Sequence, residues 1–263
     1  MAPVLYHTFF VNRKNSVRIR SFMFNEKSCA AAARVCSYVR VLVHEAGMRP
    51  TIDPSFFNSL ECVYAEADLI SEIFARKNSS NRTSLLRHIH VLSPDFADGV
   101  RTQISTNALT HVTHICGFLP LRFGSSTYSE WTRMQSSPAA WTRDIIDTLP
   151  ELTHLGLILV EIPRMFEYTL TSDRFKLDAL LTVAQSTLGY ERTRLKQVVL
   201  HVGGRYIERR RGDIEEMERH INDSRFCVLW DERAYVSWNQ WHECRNEDVM
   251  SGTDIWSETR IMS

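Results

Sequence analysis

The sequence predicts an α/β fold: an irregular leucine-rich-repeat-like solenoid with a curved, mainly parallel sheet and helices on its outer face. Three observations support this prediction. Segments of strand and helix type alternate along most of the chain, leucines recur at a Leu-x-x-Leu-x-Leu spacing, and no segment matches a catalytic motif. In such repeats a short strand lines the sheet, a helix packs behind it, and each unit buries its leucines against its neighbours.

The repeat spacing is clearest in Leu149-Pro-Glu-Leu-Thr-His-Leu-Gly-Leu157, which ends a helix and begins a strand. It returns at 86–91 and at 195–200, and imperfectly at Leu109-x-x-Val112, where His114 replaces the third apolar residue. The steps between the later copies are longer and less even than the common 20–29 residues. An open, irregular sheet is therefore expected.

The apolar patterns place each element in order along the chain. Strands are predicted at 38–43, 86–92, 112–118, 152–160, 195–202 and 226–230. Helices are predicted from Asp53-Pro54 through Phe74, from Ser137-Pro138 to Leu149, over 177–188 before Gly189, and from Asp213 to Ile221. The alternation of Val17, Ile19, Phe22 and Phe24 favours extended structure near the start of the chain.

Composition excludes several classes of function. Lys+Arg and Asp+Glu both number 31, so the net charge indicates neither nucleic acid nor an anionic membrane as a partner. No apolar run approaches the roughly 18 residues that span a bilayer. No secretory signal precedes the six cysteines, so we expect reduced thiols and a cytoplasmic or nuclear protein. A single domain is expected over 1–263, with 231–263 as a Trp-rich C-terminal cap over the last repeat.

The chain indicates no catalytic residue, no cofactor site and no metal site. Val202-Gly-Gly-Arg205 follows a strand as a phosphate loop does, but the next helix is expected only near Asp213, too far away to bind an anion. The basic residues 205–211 are expected in a solvated loop that neighbouring acids compensate. His242-Glu-Cys244 is expected at the surface, because no second ligand pair has zinc spacing.

Histidines recur at the third position of Leu-x-x-Leu. The candidate partner-contact residues are His88, His111 and His154, with Gln197 in the fourth copy and His90 two residues beyond His88. Because strand side chains alternate between faces, these residues are predicted to lie together on the concave face. Three interpretations are open: exposed positions that tolerate histidine without a function, a partner-contact surface, or a metal site. Gly156 shares that face, so Gly156→Ala is predicted to destabilise far less than Leu155→Ala.

Short motifs near both ends resemble F-box proteins of mushroom-forming fungi. Leu5-Tyr-His-Thr8 is similar to the segment that follows the F-box, and Cys36–Arg40 and Leu149–Leu157 are similar to helix-to-strand steps of that family. Asp223–Asp231 and Asp254–Trp256 are similar to its terminal pattern. The resemblance implies a divergent leucine-rich-repeat-like region that holds the substrate of a cullin-type ubiquitin ligase, without catalytic residues of its own.

The resemblance also implies that residues 1–50 are the N-terminal portion that follows a missing F-box, since only four residues precede Leu5. The protein ligand is unknown, and the ligase adaptor is not expected to bind without the F-box. One alternative is an orphan α/β (Rossmann-like) enzyme or nucleotide-binding domain, which a reversal of strand order would reveal. Another is a structural or degenerate gene product without a partner.

Overall fold

The structure, a computed structural model, describes residues 7–45, 52–78, 86–92, 111–118, 138–161, 173–191, 194–233, 235, 238–251 and 256. Its eight described strands are β1 (Thr8–Val11), β2 (Val41–His44), β3 (Cys62–Ala65), β4 (His88–Val91), β5 (His114–Phe118), β6 (His154–Glu161), β7 (Gln197–Gly204) and β8 (Phe226–Asp231). The described α-helices are α1 (Ser16–Phe24), α2 (Cys29–Cys36), α3 (Ala67–Asn78), α4 (Pro138–Thr148), α5 (Asp173–Leu188), α6 (Arg205–Ile221) and α7 (Trp238–Ser251). A 3-10 helix spans Pro54–Phe56.

The eight strands form one sheet in chain order, each parallel to the strand before it. The predicted α/β class and the parallel sheet are confirmed. A doubly wound nucleotide-binding sheet reverses its strand order at the ligand site. The order of the described strands has no such reversal.

Six consecutive units repeat the same pair of buried apolar positions, one just before the strand and one inside it. The pairs are Val39 and Leu42, Leu60 and Val63, Leu86 and Ile89, Val112 and Ile115, Leu152 and Leu155, and Leu195 and Val198. Each of these side chains is at most 4% exposed. The repeat spacing therefore predicts burial correctly, and it extends to units that the sequence did not reveal.

A shared carbonyl joins each unit to the next one. The Thr113 carbonyl accepts hydrogen bonds from the backbone N–H groups of Thr153 at 2.9 Å and His154 at 3.0 Å. The equivalent carbonyls that accept two N–H groups in the same way are those of His7, Arg40, Glu61, Arg87 and Thr153. Buried backbone groups need partners, and this arrangement satisfies them while aligning the start of each strand with its neighbour.

The sheet has two differently covered faces. Helices α1 to α6 contribute side chains such as Met23, Leu69 and Met217 to one large apolar cluster that contains the repeat positions. Alternate strand residues point to the other face, where α7 and Trp256 pack. The helices before α7 thus cover one face of the sheet, as predicted.

Three element predictions are wrong. Residues 62–65 form β3 inside the predicted long helix, because a strand buried on both faces is apolar at every position and lacks alternation. Residues 16–24 form α1, in which Ile19 and Met23, four residues apart, face the core. The helix expected at Asp213 begins at Arg205, directly after Gly204, whose φ of 66° is in the left-handed region that favours glycine.

Leu155→Ala is expected to lower the free energy of unfolding by about 2–5 kcal/mol, because it empties a fully buried position beside its neighbouring units. Urea unfolding at neutral pH measures this change. Val17→Ala, at a helix position that is 77% exposed, is the control and should change the unfolding free energy by less than about 0.5 kcal/mol. Equal effects of the two substitutions would contradict the assigned strand register.

Candidate functional site

A ladder of histidines runs across the face of the sheet opposite helices α1 to α6. The strand register places His88 on β4 next to His114 on β5, and His114 next to His154 on β6, with Gln197 next in line on β7. The ring centroids of His88 and His114 lie 4.1 Å apart, and those of His114 and His154 lie 4.0 Å apart with nearly parallel planes. We call these three residues the histidine ladder.

The prediction that His111 belongs to this set is wrong. The chain offers two overlapping spacings, Leu109-x-x-Val112 and Val112-x-x-Ile115, and the register pairs Ile115 with Ile89. His114 therefore occupies the third position. His111 lies in the turn before β5, where its Nδ1 is 3.5 Å from Glu151 Oε2.

Threonine precedes histidine in two members of the ladder and helps to orient it. Thr113 Oγ1 is 2.8 Å from His114 Nδ1, and Thr153 Oγ1 is 2.8 Å from His154 Nδ1. Thr153 Oγ1 also donates to the Thr113 carbonyl at 3.1 Å, the same carbonyl that joins the two units. The repeated Thr-His pair thus couples the ladder to the backbone connection between units.

Trp256 covers the ladder. Its ring meets His114 and His154 edge to face, with centroids 5.2 and 5.8 Å apart, and its Nε1 donates to His90 Nε2 at 3.1 Å. His90 is 4% exposed and stacks on Tyr64 at 3.9 Å. Because its Nε2 accepts a hydrogen bond, His90 lacks a proton there and is neutral. His88, His114, His154 and Gln197 are half-buried.

The rest of this face is a second apolar core. Trp241 on α7 is fully buried in a cluster with Ile158, Val199, Leu229 and Tyr235. Val249, two turns further along α7, packs against a third cluster that contains Val43 and Tyr64. The C-terminal residues were expected to cap the last repeat. Their described part instead packs against strands from β2 to β8.

Ion pairs anchor this C-terminal segment to β8. Asp231, the last residue of β8, accepts hydrogen bonds from Arg233 Nε at 2.7 Å and Nη2 at 2.8 Å, and from the Tyr235 hydroxyl. Arg233 also donates two hydrogen bonds of 2.8 Å to Asp248 on α7. Arg245 Nη1 donates to Asp248 at 3.1 Å. One guanidinium therefore bridges two carboxylates, one on the sheet and one on the helix.

The electrostatics of this anchor follow from burial and hydrogen bonding. Burial raises the pKa of Asp231, but hydrogen bonds from Arg233 and Tyr235 outweigh it and lower the pKa to about 2. Burial and the nearby charge of Arg245 lower the pKa of His201 to about 3. His201 Nε2 lies 3.6 Å from Asp231 Oδ2, too far for a hydrogen bond. Since His201 is neutral at pH 7, this contact is not an ion pair.

Sequence reasoning missed most of the residues that cover the ladder. His201 shares the parity of Gln197 on β7, so strand alternation alone could have placed it on this face. Tyr235, Trp241 and Trp256 follow the last strand, and their Trp-rich composition indicated burial without indicating the surface that they bury. Asp231-Glu-Arg233 gave no sequence signal beyond that of an ordinary surface pair.

The other candidate segments have structural explanations. Arg210 pairs with Asp213, and Arg211 pairs with Glu215 and Glu232, so these two residues of the basic cluster are compensated as predicted, although the cluster lies on α6 and not in a loop. His242 lies on α7 and is 3% exposed, so its expected surface position is wrong.

In the described ranges, no three His, Cys, Asp or Glu side chains are grouped as a metal ion requires. No helix within those ranges is long and apolar enough to cross a membrane.

No protein-family model matches the sequence, and no curated protein has a significant match to it.

Gly156→Ala is now expected to destabilise the protein by about 1–3 kcal/mol, the range for overpacking, contrary to the small effect that the sequence predicts. A Cβ at this position would lie 2.8 Å from Cys116 Sγ, 3.1 Å from Cys116 Cβ and 3.1 Å from Trp256 Cη2. The outward face is not open there, because the C-terminal segment covers it.

Urea unfolding of the single variants Gly156→Ala and Cys116→Ala and of the double variant tests this contact. Removing the sulfur takes away the closest atom, so the double variant should be less destabilised than the sum of the two single variants. Strict additivity would show that the alanine methyl does not meet Cys116.

Acidification is expected to destabilise the protein below about pH 6.5. Burial lowers the pKa of His44 to about 4, of His201 to about 3 and of His242 to about 3. These groups are neutral when folded but take up protons from pH 6.5 downward when unfolded. Their stabilisation is therefore full above pH 6.5 and is lost as the pH falls towards 4, at about 1.4 kcal/mol per pH unit for each histidine.

Unfolding free energies between pH 7.5 and 4.5 measure this slope. His242→Gln should reduce the slope by about 1.4 kcal/mol per pH unit, since one linked group is removed, whereas Val17→Ala, which removes no titratable group from an exposed position, should leave it unchanged. A flat profile in the parent protein would contradict the neutral burial of these histidines.

Proposed function

We propose that this chain is a non-enzymatic protein-interaction module with an irregular leucine-rich-repeat-like solenoid, and that it selects substrate proteins for a cullin-type ubiquitin ligase. The observation that carries the proposal is the sequential, all-parallel order of the eight described strands. Repeat proteins stack units that contact their immediate neighbours. The repeated buried pairs and the shared carbonyls are what such stacking requires.

The irregularity of the repeat also fits a binding module. The step from Leu42 to Val63 is 21 residues, whereas the step from Leu155 to Val198 is 43, although all four positions occupy the same register. Added residues therefore lie between strands and leave the sheet continuous. Loops of variable length on a rigid scaffold are where binding proteins carry their specificity.

The proposed partner contact is the half-buried edge of the histidine ladder together with Gln197. These side chains lie at the beginning of β4 to β7, beside exposed residues such as Arg87 and Lys196. His90 is buried under Trp256, and His111 lies outside the ladder, so neither enters this proposed surface. Imidazole and amide groups both donate and accept hydrogen bonds, which suits recognition of a polar protein surface.

Assignment to a ubiquitin ligase rests on the resemblance to fungal F-box proteins. The similar segments that the structure describes are Cys36–Arg40, which joins α2 to β2, Leu149–Leu157, which joins α4 to β6, and Asp223–Asp231, which contains β8. Leu5, Tyr6, Asp254 and Ile255 lie outside the described residues. In that family the F-box binds the ligase adaptor and the repeat region holds the substrate.

Residues 1–263 alone are expected not to bind the ligase adaptor, because the segments that resemble the fungal family are those that follow its F-box. A fusion that places a heterologous F-box before residue 1 should bind it. Co-purification of recombinant adaptor with each protein measures the difference. Tight adaptor binding by the unfused chain would contradict the proposal that the adaptor binds through the F-box and not through residues 1–263.

The same fusion tests substrate selection in a mushroom-forming fungus under proteasome inhibition. A reproducible set of proteins should become ubiquitinated, and each should bind purified residues 1–263 directly. The variant His88→Ala/His154→Ala/Gln197→Ala should lose this set, while the exposed control Glu216→Ala/Arg219→Ala on α6 should retain it. If the fusion binds adaptor but enriches no protein, or if the ladder variant enriches the same set, the proposal is wrong.

A further inference from the structure

The first two helices carry a surface that the proposed ladder contact does not use. Of the five large apolar side chains that are exposed in the described residues, all but Met250 lie between residues 17 and 38: Val17 (77% exposed), Phe22, Phe24 (58%) and Tyr38 (56%). Single exposed apolar residues are common, but a grouping of them marks an interaction site. The segment that contains these four residues is also strongly cationic.

Segment 7–44 contains seven Lys and Arg residues and one acid, Glu26, although the whole chain has no net charge. Arg13 pairs with Glu45, and Arg40 pairs with Glu61. The other cations are exposed and have no acidic partner among the described residues: Lys14, Arg18, Arg20, Lys27 and Arg34. An excess of exposed cations in one segment favours binding of an anionic partner.

Helix α1 sets the arrangement of these groups. Ile19 and Met23 face the sheet, where Met23 is fully buried in the main core. Val17, Arg20 and Phe24 follow each other at spacings of three and four residues and therefore share one exposed side of the helix, away from Ile19 and Met23. The outward face of α1 thus alternates apolar and cationic groups.

We propose that the exposed surface of α1 and α2 binds an acidic protein segment in which carboxylates alternate with large apolar side chains. Carboxylates of the segment would pair with Arg20 and Arg34, and its apolar side chains would cover Val17 and Phe24. Arginine forms bidentate pairs with carboxylates, and aromatic and arginine residues supply much of the energy of protein interfaces. This surface is separate from the histidine ladder, and the inference does not depend on a role in ubiquitination.

The arrangement favours a protein over other anionic partners. Helices that lie in a membrane insert a continuous apolar face below the headgroups, but α1 uses its apolar face against the sheet. A nucleic acid would pair with the cations and would leave the aliphatic side chain of Val17 exposed. An acidic segment with apolar side chains covers both kinds of group.

Selection of a random twelve-residue peptide display library on the full chain tests the proposal. Selected peptides should be enriched in Asp or Glu together with Phe, Leu or Val. Their binding, measured by fluorescence anisotropy, should weaken as salt rises. The variant Arg20→Glu/Phe24→Ser should weaken binding at least about tenfold.

The control Lys196→Glu/Met250→Ser makes the same changes of charge and polarity at two other exposed positions, one directly before β7 and one on α7. This control should bind the peptides like the parent. Urea unfolding of both variants checks that they fold. Selection of neutral or basic peptides, or equal binding to Arg20→Glu/Phe24→Ser, would overturn the proposal. So would Phe24-dependent binding to phosphatidylserine vesicles or to polyuridylate with no acidic peptide selected, since the partner would then be a membrane or a nucleic acid.

Discussion

Most all-parallel sheets have both faces covered, because the crossover connections place helices on the sheet and exclude water. Here the helices from α1 to α6 cover one face, and the second face has to be covered by something else. The C-terminal segment meets this requirement with Trp241, Val249 and Trp256. The second face is apolar along the later strands, where Ile158, Val199 and Leu229 are buried beneath this segment.

Covering the second face with one segment places strict demands on size and polarity. Gly156 is small where Trp256 and Cys116 come together. The histidine ladder supplies flat rings that stack across strands about 4.8 Å apart and that meet the indole edge to face. Arg233 then joins Asp231 on the sheet to Asp248 on the helix. Asp231 is buried whereas Arg233 is exposed, so loss of Arg233 would leave the buried carboxylate without two of its hydrogen-bond donors.

Much of the sheet could be predicted from the sequence, and the reasons for success and failure are physical. Leucines at the repeat spacing lie on the helix-covered face, where apolar residues are obligatory, so the pattern identifies them. The register of β5 was ambiguous because Leu109, Val112 and Ile115 offer two overlapping copies, and a local pattern cannot show which copy pairs with Ile89. Strand β3 was missed because burial on both faces removes the alternation that identifies strands. The histidine ladder was predicted in part, with one member wrong.

The C-terminal cover escaped prediction for a different reason. Contacts such as that between Trp256 and His90 join residues 166 positions apart, and no local pattern encodes such a pairing. A strand position that looks outward in a repeat pattern, such as Gly156, can therefore be interior in the folded chain. This distinction bears on function, since a concave face is the usual place to look for a ligand of a repeat protein. In this chain the C-terminal residues occupy much of the sheet face opposite α1 to α6. We therefore place the proposed partner contacts at the strand beginnings beside the histidine ladder and on the exposed side of α1 and α2.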